Sequence, residues 1–158
     1  GAMELLMACD LAVAGETTRF GEPEVRFGSG IVAMLAPYVI GPKQAKELLL
    51  TGNDKVTADR CYQMGILNQV VADGAEMEAA LELANQIVNA APRSVQMTKA
   101  AIHRAYELAE MRTALREALE TDIKIEADES PERVEFNRIR KDQGLKAALA
   151  WRNTKTAG

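Results

Sequence analysis

The sequence predicts an α/β domain whose second half is entirely helical, and three observations carry that reading. Two short runs of small and β-branched residues, "LAVA" at 11–14 and "ILNQVV" at 66–71, each follow a segment with helical spacing of apolar residues. From Asp73 onward the spacing is helical almost to the end. With 158 residues, 47% of them apolar, the chain has material for one hydrophobic core. The division falls between a mixed part, 1–73, and a helical part, 74–158.

In "MELLMACD", Met3, Leu6 and Met7 recur at helical steps, and the helix feeds the first strand. Cys9 between them reads as a small buried hydrophobe. The segment "GETTRFGEPEVRFGSG" is glycine-rich; Pro23 should hold Glu22 extended and set a loop around Glu24. From Ile31 to Leu50 two helical patterns meet at "GPK", where Gly41 can close the first and Pro42 open the second. "TGNDKVTADRCYQMG" supplies a turn, a Thr57 N-cap, Asp59 in the positive first turn and Gly65 as a stop. The second strand comes next.

In the helical part, Met77, Leu81, Ala84, Val88 and Ala91 share one face, and Thr98, Ala101, Ile102, Ala105 and Leu108 another. Met111, Leu115 and Ala118 continue the pattern, and the methionines, which follow such stripes, read as core. Ser130 with Pro131 restarts a helix, and Gly144 separates off a last piece bearing Leu145, Ala148 and Leu149. Two short strands do not make a self-sufficient sheet, because an isolated pair is marginal and its edges need cover. Further strands are expected from outside these residues.

A net charge of −4 with interleaved signs, and only 4% aromatic residues, exclude a nucleic-acid partner. Cys9 and Cys61 are far apart and His103 is the single histidine, so no zinc site or disulfide framework is implied, which fits a reduced, cytoplasmic compartment. No apolar run reaches the roughly 18 residues of a membrane span, and no signal peptide precedes the first helix. A soluble protein is expected. His103 reads as a surface or satisfied core residue, "RIRK" at 138–141 as a solvated helical face, and Glu126, Asp128 and Glu129 lack calcium-loop spacing.

Two glutamates remain. Glu4 lies in the first turn of a helix and Glu24 in the Gly/Pro loop, and the intervening strand can bring both to one end of the sheet. Carboxyls in different environments can divide acid and base roles. A glutamate in a first turn also simply suits the helix dipole, so the pattern alone leaves both readings open.

The order of "GAMELLMACDLAVAGETTRFGEPEVRFG", "AKELLLTG", "TADRCYQMGILNQVV" and "PRSVQMTKAAIHRA" closely resembles the enoyl-CoA hydratase/isomerase, or crotonase, superfamily. The resemblance spans nearly the whole chain. It implies part of a crotonase-like spiral α/β fold, with 1–73 carrying the active-site glutamates and 74–158 forming a helical oligomerisation region. Glu4 and Glu24 match the family's catalytic glutamates, and Gly1 the glycine whose N–H holds the thioester oxygen. The implied reaction is addition of water to a 2-enoyl-CoA, with an acyl-CoA as substrate, no metal or redox cofactor, and a homotrimer or hexamer as the assembly. An acyl-CoA hydrolase or decarboxylase on the same scaffold, or a non-catalytic truncated paralogue serving as an assembly module, are the alternatives.

Three departures accompany the likeness. "RFGSGIVAMLAPYVIG" stands where many relatives carry a Pro-Gly-x-Gly-Gly loop, and Ala148 and Trp151 stand where relatives often place an aromatic and a lysine facing CoA. The family's N-terminal half is not represented, so these 158 residues are expected to be a piece of a longer enzyme with little turnover of their own.

Overall fold

The computed structural model describes residues 1–30 and 34–154. The expected helix start at Ile31 lies outside the described residues. Helix α1, Ala2–Ala8, buries Met3 and Met7 and ends on Cys9 in extended conformation. The chain then enters strand β1, Val13–Gly15, and a two-residue strand β2, Arg19–Phe20. The segment expected to loop around Glu24 winds instead into a 3₁₀ turn, Glu24–Phe27, closed by Gly28 in the left-handed region at φ 74°.

Helix α2, Ala36–Thr51, is two helical pieces broken where Gly41 takes φ 77° and ψ 164°, followed by Pro42. An interior proline lacks an N–H and clashes with the preceding turn, and the positive φ favours glycine, so the two residues together set the break. Strand β3, Val56–Thr57, leads into α3, Ala58–Met64, whose N-cap is Thr57: its Oγ1 accepts from the Arg60 N–H at 3.2 Å. Thr57→Ala should therefore cost about 1 kcal/mol, measurable by urea unfolding; no change would mean the cap is idle. Strand β4, Gln69–Val71, follows.

β1 pairs with β4 in parallel, Val13 opposite Gln69 and Gly15 opposite Val71, while β2 and β3 pair antiparallel. The parallel ladder is extended by side chains. Asn68 Oδ1 accepts from the Ala12 N–H at 2.8 Å, and Asp73 accepts from Thr17 Oγ1 at 2.6 Å and from the Thr17 N–H at 3.1 Å. These Thr17 bonds hold the Asp73 carboxyl below its usual range. Strands β2 and β3 have no counterpart in the sequence reading, because two residues are too few for an alternation to register.

The main core gathers Met3, Met7, Ile40, Leu48, Ala58, Cys61, Leu67 and their neighbours. Burial pushes the Cys61 thiol up to about 11, so it stays protonated and packs as a hydrophobe. Cys9 corrects the expectation: it is exposed, at the extended C-cap of α1 past that helix's buried face.

Helices α4, Glu76–Val88, α5, Pro92–Leu108, α6, Met111–Ala127, α7, Pro131–Gln143, and α8, Leu145–Thr154, complete the chain. Ser130 caps α7 as expected. Phe136 and Ile139 of α7 and Ala148 of α8 form a second core, and Phe136 stacks on Phe27 of the 3₁₀ turn at 4.8 Å. On α6, Met111 and Leu115 pack against the main core. The methionines read as core on α4 and α5, Met77 and Met97, behave differently. Neither helix buries a residue, and Met77, Val88, Met97 and Leu108 are exposed. Among the described residues, no helix is long and apolar enough to cross a membrane.

Candidate active site

Glu4 stands in the first turn of α1, where a carboxylate suits the dipole of the helix N-terminus. Its side chain is 15% exposed, and Oε2 lies 3.5 Å from the nitrogen of Gly1. Gly1 is the exposed N-cap of α1, and its carbonyl accepts from the Leu5 N–H at 3.1 Å. Glu24 begins the 3₁₀ turn, half-buried, with Oε2 sealed from solvent and without a hydrogen-bond partner.

The group that ties these two together is a third carboxyl. Glu22 is only 2% exposed, its Oε1 meets no hydrogen-bond partner, and it feels the charges of both Glu24 and Glu4. Burial is the chief cause that raises its carboxyl to about 7, with Glu24 and then Glu4 adding to the effect. Glu4 and Glu24, on separate elements, thus both act electrostatically on the buried Glu22. Gly21 sets the approach: a Cβ there would fall 2.2 Å from the Asn53 carbonyl oxygen and 2.3 Å from Asp54 Cα. Only a glycine lets the chain entering Glu22 lie against the turn ahead of β3.

A fourth carboxyl comes from the helical part. Asp122 of α6 is buried, its Oδ1 lacks a partner, and burial followed by the charges of Glu126 and Glu4 raises it. Beside it, Glu126 accepts from Ser29 Oγ and from the Gly30 N–H at 3.3 Å, and pairs with Arg133 of α7. The Ser29 hydroxyl is the main reason the Glu126 carboxyl is lowered. Helices α6 and α7 therefore hold the segment just after Glu24.

Sequence reasoning missed Glu22 and Asp122, although each left a signal. Glu22 brackets Pro23 with Glu24, and Asp122 continues the stripe of Met111, Leu115 and Ala118, where an acidic residue must be buried. His103 and Lys99 belong elsewhere. They face Asp10 across a cleft of about 1350 Å³ between the far end of α1 and helices α4 to α6; Glu4, Glu22 and Glu24 do not line it. "RIRK" is solvated in part: Arg138 pairs with Glu135 and Asp142, while Ile139 is buried.

Comparison with known proteins settles the lineage. Residues 1–135 match the profile of the enoyl-CoA hydratase/isomerase family. The chain belongs to that family. The short-chain-enoyl-CoA hydratase of Clostridium acetobutylicum is 36% identical over 112 residues, which are 68% of this chain and 42% of that protein. The crotonyl-CoA hydratase of Syntrophomonas wolfei is 32% identical over 137 residues, 81% of this chain and 46% of the other. The crystal structure of an enoyl-CoA hydratase/isomerase from Xanthobacter autotrophicus Py2 superposes with a TM-score of 0.91 at 44% identity, covering 98% of this chain and 57% of that one. The architecture is thus part of the crotonase fold, and the chain spans less than half the length of these two curated relatives.

Proposed function

We propose that the protein carrying this sequence adds water across the 2,3 double bond of a 2-enoyl-CoA thioester, with Glu4 and Glu24 as the acid–base pair. The observation that supports this reading is that both carboxyls, from α1 and from the 3₁₀ turn, act electrostatically on the buried Glu22. In the forward step, one glutamate takes a proton from water as its oxygen bonds to C3. The π pair moves toward the thioester, and the other glutamate, which enters the step protonated, delivers that proton to C2, so that the water's proton ends on the first glutamate. Negative charge grows on the thioester oxygen during that step, so donors aimed there lower the barrier more than ground-state contacts do. In this reading the N–H of Gly1, at the positive end of α1, is such a donor.

This chemistry uses no metal or redox cofactor. For the assembly we propose a homotrimer or hexamer, with 74–158 as the contact region; the exposed apolar residues of α4 and α5 support that role. The test is incubation of the intact protein with crotonyl-CoA. Loss of the conjugated thioester absorbance and gain of one water in the product mass are expected. Release of free CoA from saturated thioesters, or of carbon dioxide from malonyl-type ones, with crotonyl-CoA untouched, would assign a hydrolase or decarboxylase instead.

A further inference from the structure

We propose that Glu22 is a positioning residue of this site: the member of a three-carboxyl cluster that keeps a proton, donates it in a hydrogen bond to Glu24, and so fixes the Glu24 carboxyl. The inference rests on the hydratase reading only for what Glu24 then acts upon. Glu22 lies within electrostatic reach of both Glu24 and Glu4, and Glu22 Oε1 and Glu24 Oε2 are both sealed from solvent without a hydrogen-bond partner. Like charges confined together in a poorly solvated site do not all ionise, so a proton must remain on at least one of them. The most buried carboxyl loses most hydration on ionising. That carboxyl is Glu22, 2% exposed, against 15% for the Glu4 side chain and a half-buried Glu24.

The surrounding charges agree with this placement. Arg26 pairs with Asp54 and Arg133 with Glu126, and Asp122, which feels the charge of Glu4, adds another acidic group. The raised carboxyl, near 7, is the titration this arrangement demands. Below that pH, Glu22 stays neutral and bonds to Glu24. Above it a further negative charge is created beside Glu24, and the bond that orients Glu24 is lost.

Two measurements test the proposal. Infrared or carbon-13 titration of the resting chain, with no substrate, should show one carboxyl proton lost with a midpoint near 7. Glu22→Gln should abolish this event, and Glu24→Gln should move its midpoint down by removing a neighbouring charge. A midpoint near 7 that persists in Glu22→Gln, or none in the unaltered chain, overturns the assignment; if Glu22→Gln does not fold, the Glu24→Gln shift decides. In the intact protein, kcat should fall about tenfold between about pH 6 and about pH 8, and by less than about twofold in Glu22→Gln, whose amide still donates but cannot ionise. Identical pH profiles for the two proteins would also overturn it. A protein that titrates as expected but hydrates nothing would leave Glu22 as the proton holder and sink the hydratase reading alone.

Discussion

Glu24→Gln is expected to slow hydration of a 2-enoyl-CoA by the intact protein about a hundredfold to ten-thousandfold, with KM within about threefold. The amide matches the carboxyl in size and can still hydrogen-bond, so the fold and the 3₁₀ turn that begins at Glu24 should persist. What it cannot do is carry a proton between water and carbon. Glu4→Gln should act similarly, and the double variant should be little slower than the worse single one, because residues acting as one unit are not additive. Steady-state kinetics on the three variants decides the matter. Turnover surviving in the double variant would remove both glutamates from the chemistry.

Gly21→Ala should destabilise the chain by about 3 kcal/mol, the upper end of overpacking costs, and lower Tm by roughly 6 to 12 °C. The obstruction is main chain: the added methyl would meet the carbonyl oxygen of Asn53 and the Cα of Asp54. A flexible side chain could swing aside, whereas this turn is held by the β2–β3 pairing and by Asn53 Oδ1, which accepts from the Lys55 N–H at 2.9 Å. Relief must come from moving one of the two segments, and one of them leads straight into Glu22 and Glu24. Denaturation monitored by circular dichroism tests the expectation; a loss below about 0.5 kcal/mol would show that the close approach is easily relaxed.

Features governed by local chemistry were legible in the residues. The Thr57 and Ser130 caps and the Gly41–Pro42 break each depend on neighbours in sequence, and each stands where the residues place it. The strand runs also locate β1 and β4, though β1 reaches one residue past its run to Gly15 and each strand is three residues long. The stripes on α4 and α5 show the limit of periodicity: spacing shows that a face is apolar, but not what covers it. At the candidate site, Glu4 and Glu24 were singled out through their motif, and Glu22 was not, because a residue before proline is read for its backbone. Asp122 required knowing that α6 returns to the start of the chain, a long-range fact that local pattern does not carry.

The parallel ladder carries a kinetic consequence. Each of its contacts, whether Val13 with Gln69, Ala12 with Asn68 or Thr17 with Asp73, joins residues 56 positions apart. None can form until that whole span has been brought around, and once the first is made the rest gain without further loop entropy. The ladder therefore closes as a single late event, after the locally specified helices have shortened the path between its halves, and non-local pairing of this sort sets a slow pace for the chain to reach its native form.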